Sequence, residues 1–551
     1  MGRWRLACGA ILFFFLGIPA LLPLGQLCLH PKAWLAWSEY DRLLFLAVES
    51  SSLALGAIAL ALPFGVLCAL LLERTRLPMK GFFRFAILLG LFIPLPLYAS
   101  AWQGLFSASG AFSQMLLPPP ASAGDFASLR SARPWSSGLL PAILIHASAA
   151  WPWVVVLVGL GLRSVEPELE EDAALLTGPR GVLIYFTLPR LAPWLVAAAV
   201  WVGLLTFTEI TVSDVTLVRT YAEEVYTQKV LGNDDDLARA VATALPPAAA
   251  ICLGVWFLMG WWERAMPPVQ SAAANARRLT LPASAKVMLI CAILGMLFFL
   301  AAPLGSLLWK VGEVRAEHGW SLSLACEHLW LACKVRSGLV AESVLWAFVA
   351  GLSAASLALV ACWLSLDAPV FRGATRLLAV LLWAMPAPIL GLGLEQMIGV
   401  LIDTVEWRPF QTALYYGPSP LPTLWAHVLR LFPFGLALIW PTVRQMPREL
   451  REAALVEGSK PWQELILVVA PAARGAYRQA VLGVAILALG ELGASKILET
   501  PGSITFAHEV FTLMHYGLSN DLAAHCLLLL AAVSLGTLLW RLASKKGVGS
   551  L

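Results

Sequence analysis

The chain has 551 residues, of which 59% are hydrophobic and only 13% charged, with a net charge of +4 and a mean hydropathy of +0.77. A soluble domain carries about 25% charged residues, so a water-soluble globule is excluded. The apolar runs are continuous and do not alternate, which argues against a β-barrel, and no basic block marks a nucleic-acid surface.

Twelve runs are long enough to cross a hydrocarbon core of about 30 Å as helices. They fall at roughly 6–29, 48–72, 82–105, 138–162, 191–212, 237–261, 284–309, 339–365, 374–402, 421–442, 473–495 and 521–541. The pattern predicts an all-α polytopic membrane protein of about twelve transmembrane helices. The first run begins with Arg3 and Arg5. It is long, and no small-residue cleavage site follows it cleanly, so it reads as a retained span. Lys and Arg set orientation. Arg74, Arg76, Lys80, Arg277, Arg278, Arg444, Arg448, Arg451, Lys545 and Lys546 gather on the side holding both termini, so both termini are expected in the cytoplasm. Most of the nine cysteines lie in apolar runs, where they behave as small hydrophobes. Cys326 and Cys333 lie in a polar stretch. On a helix their spacing puts them about 10 Å apart, too far for a disulfide.

Two polar segments recur. EDAALLTGPRGVLIY, 171–185, follows the fourth span, and REAALVEGSKPWQEL, 451–465, follows the tenth. At an offset of 280 residues, Asp172-Ala173-Ala174 aligns with Glu452-Ala453-Ala454, Leu175 with Leu455, and Gly178 with Gly458. Pro167 and Pro447 share that offset, and His146 and His427 differ from it by one. Pro189/Pro471, Glu209/Glu491 and Ser213/Ser495 are 282 apart, and Pro94/Pro386 and Pro96/Pro388 are 292 apart. The chain therefore reads as a duplication. Two six-span halves, 1–262 and 284–551, are joined by a Pro/Ala-rich basic linker at 263–283. Six is even, so the halves share one orientation and form a parallel repeat.

In each copy an acid near a helix start complements its dipole, and alanines allow close packing. Gly178 and Gly458 end the helix or turn the chain, and Pro461 can open a second short helix. Two such helix–turn–helix units on the cytoplasmic face suit a two-fold symmetric partner.

These segments resemble the EAA loop of ABC-importer permeases, whose pattern is EAA, three residues, glycine, and further on I-x-L-P. The second copy fits with EAALVEG and with Val468, Ala470 and Pro471 at the later positions. The first departs from the pattern, with Asp172 for Glu and its TLP, at 187–189, two residues early. The whole chain resembles fused two-half permeases of the ferric-iron and thiamine type. TYAEEVYTQ and TFAHEVFTL, with LGNDDDLARA and GLSNDLAAH after them, carry that likeness. The resemblance implies a type-I-importer-like fold with loops at about 164–190 and 443–472. It implies that Asp172, Ala173, Ala174 and Gly178, and Glu452, Ala453, Ala454 and Gly458, form two coupling helices. Each would seat in one of two ATPase subunits, in a bacterial inner membrane, with a periplasmic solute-binding protein delivering solute. Ferric iron is the implied solute, with thiamine or an organophosphonate as alternatives. No G-x-x-x-x-G-K-[ST] occurs, so no phosphate cradle of that kind lies in this chain. No cofactor of its own and no enzymatic activity are expected, ATP being held by the partners.

Ionisable groups inside spans face a cavity or a partner. The candidates are His146, Glu209, Glu395, His427, Arg430 and Glu491. His146, Glu209, His427 and Glu491 occupy equivalent places and can line a translocation pathway. Interhelical hydrogen bonding, or a Glu395–Arg430 pair holding the second half together, is the alternative. Nothing in their spacing supports a metal site. Cys326, His328 and Cys333 lack a fourth ligand and fit an outer-face helix better. Two rival functions stay open. A secondary transporter can carry parallel repeats but needs no matched docking loops. A membrane enzyme needs a convergent acid/base or metal constellation, and none is evident.

Overall fold

The computed structural model describes residues 2–77, 79–106, 135, 137–165, 167–265, 283–314, 319–517 and 519–548. Most of the expected linker, 266–282, lies outside the described residues. Inside a bilayer every backbone N–H and C=O must be paired within the segment, and the apolar runs accordingly fold as helices. In chain order these are α1 (Gly2–Leu29), α2 (Tyr40–Arg74), α3 (Lys80–Phe92), α4 (Leu95–Phe106), α5 (Leu139–Ser164), α6 (Pro167–Gly181), α7 (Val182–Phe207), α8 (Thr211–Thr216), α9 (Tyr221–Leu231) and α10 (Asp234–Ala265). They continue as α11 (Lys286–Val311), α12 (Leu322–Ser365), α13 (Pro369–Ala384), α14 (Ala387–Thr404), α15 (Leu421–Arg444), α16 (Arg448–Val456), α17 (Pro461–Ala472), α18 (Arg474–Ala488), α19 (Phe506–His515) and α20 (Asn520–Val548). Among the described residues, ten helices are long and apolar enough to cross a membrane, and up to twelve if the bent pairs α3–α4 and α17–α18 each count as one span. The protein is an all-α, multi-pass membrane protein.

Two expected spans are broken. The run at 82–105 divides at Ile93-Pro94, where α3 and α4 meet at 101°, and the run at 374–402 divides at Met385-Pro386. Proline lacks an N–H and pushes the preceding residue out of helical conformation. Ile93 (φ −64°, ψ 123°) and Met385 (φ −70°, ψ 131°) are both extended. The expected span at 339–365 starts earlier, because α12 is continuous from Leu322 over 44 residues, about 66 Å at 1.5 Å per residue. Cys326 and Cys333 lie exposed and unpaired on its first turns.

Local details recur in both sequence halves. A π-helical turn interrupts α1 at Phe13–Gly17 and α11 at Leu297–Ala301. Another opens α7 at Val182–Thr187 and lies in α17 at Glu464–Val469. Thr220 and Thr505 cap α9 and α19 alike, each hydroxyl accepting from the N–H three residues on; Ser, Thr and Asp are favoured there because they satisfy an orphan donor.

The packing is crossed. One core joins Leu53 of α2, Trp151 of α5 and Val202 of α7 to Leu300 of α11 and Leu522 of α20. The other joins Ala354 of α12, Leu382 of α13, Phe432 of α15 and Val484 of α18 to Leu16 of α1 and Leu245 of α10. The first span of each sequence half thus packs on the other half, while α20 bridges α3 and α4 to its own α12 and α18. At Gly393 of α14, α1 comes so close that any Cβ would meet the Pro19 carbonyl oxygen, and Trp425 donates to the Phe15 carbonyl at 2.8 Å.

Candidate functional site

A cavity of about 180 Å³ lies where the two sequence halves meet. Its wall includes Ile93, Pro94 and Leu95 at the α3–α4 break, Ala387 at the α13–α14 break, and Arg430 of α15. Glu209 and Glu491 complete it from the segments after α7 and α18. Both broken helices therefore open at one place, where non-helical backbone is tolerated because it lines a cavity.

Glu209 and Glu491 lie beyond the helix ends, which corrects the expected spans at 191–212 and 473–495. The Glu209 carboxylate accepts from the Thr211 N–H at 2.5 Å and the Val212 N–H at 3.0 Å. The Glu491 carboxylate accepts from Ala494 at 2.9 Å and Ser495 at 3.1 Å. Each acid caps the next turn, so the helix before it ends. A buried histidine stands behind each. His146 Nε2 is 3.8 Å from Glu209 Oε2, and His427 Nε2 is 3.9 Å from Glu491 Oε2. The four candidate pathway residues therefore fall into two matched pairs, and the glutamates, not the histidines, reach the cavity wall.

The Glu395–Arg430 pair considered from sequence is not formed. Glu395 binds Lys229 of α9 at 2.7 Å. Arg430 donates to the Leu382 carbonyl at 2.9 Å and to Thr208 Oγ1 at 2.5 Å. The Thr208 carbonyl in turn accepts from the Ala387 N–H at 3.1 Å. Arg430 thus covers the open carbonyls at the end of α13 and ties them to the end of α7. Sequence spacing gave no signal for this, because a guanidinium's carbonyl partners carry no side-chain signature.

The second feature is the pair of loops. α6 carries Asp172, Ala173 and Ala174 and turns at Gly178 (φ +68°); α16 carries Glu452, Ala453 and Ala454 and is followed by Gly458 (φ +80°). Both glycines occupy the left-handed region, where a Cβ is disfavoured. Asp172 and Glu452 are exposed. Ala173 is buried against the chain itself, whereas α16 buries none of its residues and Ala453 is exposed. The physical difference is the underlying contact: α16 is amphipathic and meets the bundle through Arg451. Apolar side chains at matched positions point outward on both loops. Leu175 is 87% and Leu176 83% exposed, and Leu455 and Val456 are 57% and 88% exposed.

Each loop is tied to the bundle by ion pairs of opposite polarity. On α6, the acid Glu170 binds Arg74, the last residue of α2, at 3.1 Å and accepts from Thr187 at 2.8 Å. On α16, the base Arg451 binds Asp367, just past α12, at 2.5 Å and the fully buried Glu464 at 2.7 Å. Trp363 also donates to Glu464. The Arg451 guanidinium holds the Asp367 carboxyl below its usual range, and burial opposes this only in part.

Among the described residues, no group of three or more His, Cys, Asp or Glu is placed to hold a metal ion. His328 is 2.9 Å from Asp521 of α20, a link between helices.

No family model matches the chain. It is 26% identical over 163 residues to the putrescine transport system permease protein PotI of Escherichia coli K12, covering 29% of this chain and 55% of the relative. It is 28% identical over 252 residues to the sulfate transport system permease protein CysT of the same strain, covering 44% of this chain and 83% of the relative. The chain thus spans about half the length of the putrescine relative. Joined to the fold, these matches make this multi-pass membrane chain similar, over less than half of its own length, to permease proteins of bacterial transport systems.

Proposed function

We propose that the chain is the membrane permease of an ABC uptake transporter, with both halves of the permease fused in one polypeptide. In this reading both loops and both termini face the cytoplasm of a bacterial inner membrane. Two ATPase subunits seat on α6 and α16, a periplasmic binding protein delivers solute to the opposite face, and the interface cavity is part of the path. The observation that carries the reading is the matched pair of outward-facing apolar tips, Leu175-Leu176 and Leu455-Val456, each beside a left-handed glycine. Apolar tips on otherwise polar loops, rimmed by charged residues, suit an interaction surface. ATP closing the ATPase dimer would bias a two-state bundle through them.

Ferric iron is the solute that the sequence resemblance implies. The cavity wall carries two carboxylates against one guanidinium, all three already bonded to backbone groups, and this excess of acid favours a cation. Putrescine, for which one relative is named, is also a cation; sulfate, for which the other is named, is not.

The test is co-reconstitution with the candidate ATPase in proteoliposomes. ATP-driven uptake should appear and should fall at least tenfold in the Leu175→Asp, Leu455→Asp double variant, with expression unchanged. Uptake that persists without ATP on an ion gradient, or that ignores the double variant, refutes the reading.

A further inference from the structure

A second cavity, of about 100 Å³, lies between α10, α13 and α15, away from the interface chamber. We propose that it binds the headgroup of an anionic phospholipid. One side is apolar, formed by Met259 of α10, Trp383 of α13 and Trp440 of α15. The other is polar and comes from one face of α13, where Arg372, Thr375 and Arg376 stand within a single turn. Residues three and four apart on a helix share a face.

Thr375 is the pointed observation. It is 6% exposed and lines the cavity, and its hydroxyl has no hydrogen-bond partner. Buried hydroxyls in helices ordinarily bond back to the preceding turn, as Ser365 does to Ala361 at 2.6 Å. An unmet hydroxyl between two guanidinium-bearing residues fits a phosphate oxygen, the acceptor arginine matches best. No lining residue is acidic, and two guanidinium-bearing residues favour a headgroup of net negative charge over a zwitterionic one. The tryptophan-walled side offers a bare phosphate ion nothing, but it accommodates glycerol and the start of an acyl chain. The rim includes exposed Ala437 and half-buried Arg372, Trp383 and Trp440, so the groove opens sideways from the bundle.

Arg372 sits five residues past Asp367, which is bonded to Arg451. The groove is therefore level with the loop end of the bundle. With the orientation proposed above this is the inner leaflet, where basic pockets between helices meet anionic headgroups. A bound lipid would then brace the α12–α13 corner on which the second loop is tethered.

The experiment is native mass spectrometry of the full chain in detergent, titrated with phosphatidylglycerol or phosphatidylcholine. The wild type should retain one phosphatidylglycerol that phosphatidylcholine does not replace and glycerol phosphate does not displace. The Arg372→Gln, Arg376→Gln variant should weaken that retention at least tenfold. Thr375→Val, nearly isosteric, should weaken it severalfold with an unchanged melting temperature. Equal retention of the two lipids, equal retention by wild type and both variants, or displacement by glycerol phosphate overturns the proposal. The readout needs neither ATPase nor transport, so its failure leaves the permease reading standing.

Discussion

Gly178 and Gly458 are where single residues matter most. Both have positive φ, and a Cβ at either would meet nothing within 4 Å. Any penalty for substitution is therefore conformational and not steric. Placing an L-residue in the left-handed region costs about 1–2 kcal/mol, while asparagine tolerates it better than most. Gly458→Asn should therefore behave nearly as wild type, and Gly458→Val should lose local order by about that amount. Hydrogen exchange across 448–463 checks this: faster exchange in Val but not Asn is the expected result, and equal exchange in both would show that the turn does not depend on its glycine. These glycines were legible in the sequence because the pattern occurs twice, each time at equal distance from an acid and two alanines. The capping by Glu209 and Glu491 was not. An acid inside an apolar run reads as part of a span, and only the fold shows its carboxylate taking two backbone N–H groups and ending the helix.

Among the elements, the second loop is held by one base bridging two acids, the first by a single buried pair. Arg451 joins a half-exposed Asp367 to Glu464, whose side chain is 0% exposed. Removing one partner of a buried pair strands the other charge and costs about 3–5 kcal/mol, whereas replacing both with apolar groups is often neutral. Arg451→Met should therefore destabilise the α16–α17 unit by about that amount, and Arg451→Met with Glu464→Leu should restore most of it. Limited proteolysis of the loop measures both, and a double variant no more resistant than the single one would show that Glu464 is not stranded. The two proline breaks belong to this scale. Pro94 and Pro386 are visible in sequence as a matched pair, but a proline inside an apolar run is also compatible with a merely kinked span. What decides for a break is the cavity beyond it, and at Pro386 Arg430 and the Thr208 carbonyl take up the freed backbone groups. That arrangement is built from residues of both halves and is invisible to a reading along the chain.

For the whole molecule, the crossed packing means that the halves cannot separate as rigid blocks, since α1 and α11 each lie on the opposite core. Relative motion must concentrate where the halves meet through polar contacts. One such contact is the pair Asp214 of α8 and His515 of α19, 2.9 Å apart and partly exposed, outside the membrane-crossing helices. The hydrogen bond that the imidazolium of His515 donates to Asp214 raises its value above the ordinary 6.5, burial opposes it, the Phe511 carbonyl adds to it, and Lys496 works against it. A histidine with a raised folded-state value contributes stability that is complete below its unfolded value, near 6.5, and is lost as pH rises through the folded value. The expected signature is a melting-temperature gap between wild type and His515→Gln that is widest below about pH 6.5 and narrows as pH climbs. A gap that stays constant across that window, or widens with pH, would show that the imidazolium does not link the halves. Because the two residues are 301 apart and join α8 to α19, neither half alone contains the contact. If it holds the halves together at one face, weakening it should ease the movement that opens the chamber toward that face without disturbing either loop.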